Sequence, residues 1–245
     1  MRPLKERIIV ALDTGSPEAA LATVGALSGA VGMFKVGMEL FPRGGPELLR
    51  RIRDAGHDVF LDLKFHDIPN TVAGAVRSAV DLGVRFATVH ASGGKEMLKA
   101  AAEAARGTGI TILAVTVLTS MDDADLAEVG FSMGAGDAVL RLADLAVASG
   151  VGGIVCSAKE VGIVRARVGK EVTLVTPGVR MPGDAAGDQK RVMTPAEAIR
   201  RGADYLVVGR PITKAEDPAA AARAIAAAMA DGVPGTGRQG APPCG

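Results

Sequence analysis

Short apolar runs alternate along this chain with longer stretches in which apolar side chains recur every three or four positions. The runs occupy residues 8–12, 33–36, 58–63, 86–89, 111–118, 153–156, 172–175 and 205–208. Brief runs with little polar alternation are the mark of strands covered on both faces, as in parallel sheets. Between them, helical spacing predicts helices over 16–27, 47–55, 69–82, 95–105, 138–148, 159–167 and 218–229. Ser16 before Pro17 reads as an N-cap with proline at the first helical position. Thr194-Pro195-Ala196-Glu197 reads as the capped start of a further short helix. Residues 121–134 are acidic and irregular, and predict no element.

Eight strand-plus-helix units in 245 residues predict an α/β fold of the (β/α)8 TIM-barrel type, one domain over residues 1–230. The Gly/Pro-rich tail 231–245 predicts a disordered end. A doubly wound open sheet is the competing architecture. It calls for a glycine fingerprint after the first strand, and Asp13-Thr14-Gly15-Ser16 does not supply one.

Composition narrows the function classes. Apolar residues are 48% and charged residues 22%, an ordinary globular balance, and a net charge of +1 gives no footing for a nucleic-acid surface. With no tryptophan and 3% aromatics, stacking on bases is not the main mode of recognition. The two cysteines, Cys156 in an apolar run and Cys244 in the tail, form neither a disulfide framework nor a metal-ligand pair. Cys156 reads as a small buried hydrophobe. The N-terminus lacks a secretory apolar region, and no apolar stretch reaches the roughly 18 residues of a membrane span. The expectation is a soluble cytoplasmic protein with neither nucleic acid nor membrane as partner.

Polar residues interrupt the apolar runs mostly at their ends. Asp13, Lys35, Asp62 with Lys64, His90, Thr119, Arg180 and Arg210 all fall at or just past a strand end. In a (β/α)8 barrel those ends form the reacting face. Any one of these residues alone is more often a salt bridge or a loop residue; their convergence on one face favours a site. Loops after the seventh and eighth strands commonly bind phosphate in this fold. Here they supply Thr176-Pro177-Gly178-Val179-Arg180 and Gly209-Arg210. Glycine lets backbone N–H groups approach an anion, and arginine can grip it with two hydrogen bonds. The glycines of loop 180–192 suit a lid over such an anion.

The densest cluster is Asp62-Leu63-Lys64-Phe65-His66-Asp67-Ile68-Pro69-Asn70-Thr71. For an arbitrary D-x-K-x-x-D, a structural ion pair at a strand end is the commoner reading. Two carboxylates near Lys64 favour its ammonium form, which argues against a Schiff base. A cation there suits stabilisation of a developing carbanion, followed by proton donation to it. Two acidic residues could bind a metal, but the lysine already takes the charge-balancing place, which disfavours magnesium.

With that stretch, the chain resembles the orotidine 5′-phosphate decarboxylase family. The likeness runs from about residue 7 to 230, through Leu12-Asp13, Phe34-Lys35-Val36-Gly37, Thr88-Val89-His90-Ala91, Leu118-Thr119-Ser120, Thr176-Pro177-Gly178-Val179-Arg180, Gly187-Asp188-Gln189-Lys190-Arg191 and Val208-Gly209-Arg210-Pro211. The resemblance implies cofactor-free, metal-free conversion of orotidine 5′-phosphate (OMP) to UMP and CO2 in pyrimidine biosynthesis. Carried over by position, Lys64 donates the proton to C6 of the pyrimidine and Asp62 lies beside the departing carboxylate. Lys35 joins their charged chain, and Asp13 and Lys35 hold ribose hydroxyls. Thr119 and Ser120 lie near the pyrimidine, while Pro177, Arg180, Gln189, Gly209 and Arg210 form the phosphate end. By the same likeness Asp67 reaches across a homodimer interface into the neighbouring site, with Ile68 and Thr71 beside it. His90 belongs to the pattern without an assigned contact. A magnesium-dependent sugar-phosphate decarboxylase sharing D-x-K-x-x-D and a non-catalytic UMP-binding barrel are the alternatives.

Overall fold

Each apolar run forms a strand, and the eight strands close on themselves. In the computed structural model, which describes residues 2–181 and 193–233, they are β1 Ile8–Ala11, β2 Met33–Gly37, β3 Asp58–Phe65, β4 Phe86–His90, β5 Thr111–Val115, β6 Gly153–Val155, β7 Thr173–Thr176 and β8 Tyr205–Val208. Every strand pairs in parallel with the next, and β8 pairs with β1. The helices between them are α1 Pro17–Ala26, α2 Phe41–Asp54, α3 Pro69–Asp81, α4 Lys95–Ala104, α5 Asp123–Glu128, α6 Ala135–Ala148, α7 Val161–Val168, α8 Pro195–Arg200, α9 Arg210–Thr213 and α10 Pro218–Ala230. This is the expected (β/α)8 barrel. Gln189, residues 182–192 of the expected lid loop 180–192 and residues 234–245 of the tail lie outside the described residues. Among those described, no helix is long and apolar enough to cross a membrane.

The strands are apolar on both faces because each face has its own core. Alternate side chains point inward, where Ile9, Met33, Phe60, Phe86, Leu113 and Tyr205 fill the barrel. The rings of Phe60 and Tyr205 stand edge-on to Phe86, with centroids 6.0 and 5.2 Å away. The intervening residues, such as Val10, Phe34, Leu61 and Val89, face outward and pack under the helices.

Capping residues start the helices where the sequence places them. The Ser16 hydroxyl accepts from the Ala19 N–H at 3.1 Å, and Thr194 accepts from Glu197 N–H at 3.3 Å. Several boundaries shift from expectation by a few residues, and four differences are larger. Helix α2 gains a short helical segment from Phe41 ahead of the stretch expected from Glu47, the two being separated by a kink at Gly45, which has φ 54° and ψ −159°. The acidic segment holds α5: Asp122 accepts from the N–H groups of Ala124 and Asp125, and the Asp125 carboxylate accepts from Asp122 N–H. Its carboxylates are caps on a helix start, where negative charge is stabilised. Strand β5 stops at Val115, short of the expected Leu118. Finally, α9 is a single short turn of helix directly after Gly209 that periodicity does not reveal.

Candidate active site

A two-residue step carries the inward face of each strand out of the core and into a cavity. From Phe60 it leads to Asp62 and Lys64, from Met33 to Lys35, and from Ile9 through Ala11 to Asp13. On β8 it passes through Val207 to Gly209. A cavity of about 470 Å³ at the C-terminal end of the barrel is lined by Asp13, Lys35, Asp62, Lys64, Thr119, Pro177, Arg180, Gly209 and Arg210. Its apolar wall includes Phe60, Val115, Val155 and Val207. A second cleft, of about 540 Å³, lies beside α4 and α6 and contains none of the candidate residues.

Four of these side chains form one continuous line of alternating charge. Lys35 Nζ lies 3.1 Å from Asp13 Oδ1 and 3.6 Å from Asp62 Oδ2. Lys64 Nζ donates to Asp62 Oδ1 at 2.9 Å. Asp62, 9% exposed, is the hub. Burial pushes its carboxyl up, but the ammonium groups of Lys35 and Lys64 and hydrogen bonds from Lys64 and Thr88 outweigh burial and hold it below the ordinary value. The carboxylate therefore stays ionised and fixes both amines.

The backbone is bent to present these groups. Strand β3 is in register with β4 at Leu61↔Ala87 and next at Phe65↔Val89, so four residues of β3 advance against two of β4. Such bulges re-aim side chains. Within this one Lys64 has φ 51°, the one positive φ on a non-glycine residue among those described. Left-handed backbone is unfavourable for a residue with a Cβ, and it is found where a site demands it. Thr88, opposite the bulge and fully buried, accepts from Lys64 N–H at 2.9 Å and donates to Asp62 Oδ1 at 3.0 Å. Next along β4, His90 lies with its ring centroid 5.4 Å from that of His66. Burial, with His66 and Lys64 nearby, holds His90 below the ordinary histidine value.

At the opposite end of the cavity, Gly178 with φ 76° turns the chain toward Arg180, and Gly209 leads into Arg210. A Cβ on Gly209 would stand 3.6 Å from Ala11 Cβ and 3.8 Å from Asp13 Oδ2, inside the cavity. Lys214, one helical turn after Arg210, adds another cation. Glycine backbone and cations of this kind suit an anion.

Not every candidate converges. Ser120 is exposed and does not line the cavity. Asp67, Ile68 and Thr71 are exposed and lie off their own chain's cavity; Asp67 Oδ1 accepts from Ile68 N–H at 2.6 Å. Within one chain, the Lys64 amine is therefore paired with Asp62. Sequence reading missed Thr88 as a site residue and missed Lys214. Thr88 was findable, since the step from Phe86 inward to His90 passes through it. Among the described residues, no group of three or more His, Cys, Asp or Glu side chains is arranged to hold a metal ion.

Comparison with known proteins places this arrangement. The family model described as orotidine 5′-phosphate decarboxylase / HUMPS family matches residues 6–225. The chain is 57% identical over 229 residues to "Orotidine 5′-phosphate decarboxylase" of Anaeromyxobacter sp. (strain K), covering 94% of this chain and 100% of the relative. It is 55% identical over 230 residues to the protein of that name from Halorhodospira halophila (strain DSM 244 / SL1), covering 93% and 98%. The crystal structure of orotidine 5′-phosphate decarboxylase from Lactobacillus acidophilus superposes with a TM-score of 0.82 at 38% identity, covering 91% of this chain and 99% of that one. A chain matched across nearly its whole barrel is thus an enzyme of the orotidine 5′-phosphate decarboxylase / HUMPS family.

Proposed function

We propose that this enzyme converts OMP to UMP and CO2, using neither metal nor cofactor. The observation that carries the reading is the Asp13–Lys35–Asp62–Lys64 line, set on an apolar wall and facing a cationic glycine-arginine end within one cavity. The phosphate takes the Arg180, Gly209 and Arg210 end. Asp13 and Lys35 take ribose hydroxyls, and Thr119 stands near the pyrimidine. That threading leaves C6 beside Lys64.

The bond from C6 to the carboxylate breaks, CO2 departs, and the electron pair stays on C6 in the ring plane, where no carbonyl can delocalise it as an enolate. A preorganised ammonium in a site with an apolar wall is the stabiliser available, and its proton then goes to C6. Asp62 holds that ammonium in place and faces the departing carboxylate. Contacts to the remote phosphate contribute by fixing the ring against Lys64.

In the same reading the working unit is a homodimer with shared sites. Ile68 is 68% exposed on the loop after β3, with Asp67 and Thr71 exposed beside it. A large apolar side chain in solvent next to an exposed carboxylate is the make-up of a contact surface.

The direct assay is the absorbance loss as OMP becomes UMP, run with and without EDTA. Turnover is expected in both. Turnover abolished by chelation and restored by magnesium would instead favour the sugar-phosphate decarboxylase reading. UMP binding without turnover would favour a non-catalytic barrel.

A further inference from the structure

We propose that Thr88 is a positioning residue for the reaction: its buried hydroxyl clamps the β3 bulge so that Asp62 and Lys64 hold a fixed relation to the substrate. This deepens the decarboxylase reading and rests on it for the identity of the reaction.

The need for a clamp comes from the backbone. In a regular parallel ladder, the N–H of a strand residue is satisfied by a carbonyl of its neighbour. Between Leu61 and Phe65 the register with β4 breaks, and Thr88 is the one β4 residue opposite Asp62, Leu63 and Lys64. The Lys64 N–H, turned by its positive φ, donates to the Thr88 hydroxyl oxygen at 2.9 Å. The same hydroxyl donates its own hydrogen to Asp62 Oδ1 at 3.0 Å. That Asp62 oxygen is also the one that receives the Lys64 amine, at 2.9 Å. One hydroxyl therefore closes a ring through the Lys64 backbone, the Lys64 amine and the Asp62 carboxylate.

The chemistry selects a hydroxyl. It must accept from one partner and donate to another within a fully buried space, which valine cannot do at the same size and alanine cannot do at all. Thr88 does not line the cavity, so it acts through Asp62 and Lys64 and not on the substrate. The titratable and charged groups around Asp62 are Lys35 from β2, Lys64 from its own strand and His90 from β4, with Asp13 behind Lys35 and His66 beside His90. The bridge from the Lys64 N–H to Asp62 Oδ1 is made by the Thr88 hydroxyl.

The test compares Thr88→Val with Thr88→Ser. If the clamp positions the pair, Thr88→Val loses about ten- to a hundredfold in kcat/KM, as expected for a hydrogen bond to a charged group. The loss falls in kcat, UMP affinity stays within about twofold because the cavity lining is untouched, and Thr88→Ser returns activity close to wild type. The Lys64 amide provides a readout that needs no turnover: its hydrogen exchange accelerates in Thr88→Val and is slow again in Thr88→Ser. Should Thr88→Val fail to fold, Thr88→Ala takes its place. Full activity in the variant lacking the hydroxyl, equal impairment of Thr88→Ser, or an unchanged amide would each overturn the proposal. An inactive wild type would instead overturn the decarboxylase reading, and amide exchange would still decide whether the clamp exists.

Discussion

Lys64 combines a charge that the proposed reaction needs with a backbone conformation disfavoured for a residue carrying a Cβ. The two can be separated by substitution. Lys64→Ala removes the ammonium and is expected to lower kcat/KM by at least about three orders of magnitude, combining a lost electrostatic stabiliser with a lost proton donor. Steady-state OMP turnover measures it, and near-normal activity would sink the mechanism. Lys64→Gly should be as inactive yet more stable than Lys64→Ala by roughly 1 kcal/mol, because a Cβ at φ 51° is strained and glycine is not. That is the reverse of the usual order of these residues in a strand, so a denaturant titration of the two variants tests the strain itself. Histidines set the pH response. Burial lowers His57, and burial with His66 and Lys64 lowers His90, below the ordinary 6.5. The unfolded chain then binds more protons than the folded one, so stability falls as pH drops through about 6.5 and the loss is complete below the folded values. The melting temperature should decline between about pH 7.5 and 5, and His57→Phe, which keeps a ring beside Phe34, should flatten part of that decline.

At the scale of elements, what the sequence reveals depends on whether the cause is local. Strand runs and the caps at Ser16 and Thr194 are legible because two-sided burial and an orphan N–H leave their mark at the residues concerned. The convergence of Asp13, Lys35, Asp62 and Lys64 is legible for the same reason: each ends an apolar run. The β3 bulge is not, because register is a relation between two strands and neither β3 nor β4 records it alone. Thr88 is legible only by halves: the inward step from Phe86 to His90 passes through it, but its partners across the bulge are not recorded in either strand. The acidic caps of α5 were misread because capping carboxylates and solvated ones look alike until a helix follows. The β8–α9 turn offers a test at this scale. A Cβ on Gly209 meets no atom closer than 3.6 Å, but its backbone at φ −108° and ψ −107° is neither strand nor helix, so Gly209→Ala should fold with a loss of about 1–3 kcal/mol in a melting experiment. The added methyl nevertheless enters the cavity beside Asp13, so KM for OMP should rise severalfold or more. An unchanged KM would move the phosphate away from this turn.

For the whole molecule, the decisive question is whether one chain is a complete enzyme. Its own cavity collects Asp13, Lys35, Asp62 and Lys64, while Asp67, Ile68 and Thr71 stand exposed outside it, a few residues past the end of β3. If those three complete a neighbour's cavity, each site in a twofold dimer takes Asp13 from one protomer and Asp67 from the other. Asp13→Ala and Asp67→Ala homodimers would then be damaged in both sites. In a mixed dimer one site carries both substitutions and the other carries neither. Random mixing of equal amounts places half the chains in mixed dimers with one intact site of two, so activity should return to about a quarter of wild type. Chains acting alone would show no recovery on mixing, only the average of two impaired enzymes. Ile68→Asp supplies the complementary arm, since a charge in the contact should shift sedimentation toward monomer and lower activity together. Recovery near a quarter, with loss of activity tracking loss of dimer, would establish shared sites. An Ile68→Asp chain that is monomeric and fully active would show that the cavity of a single barrel is sufficient.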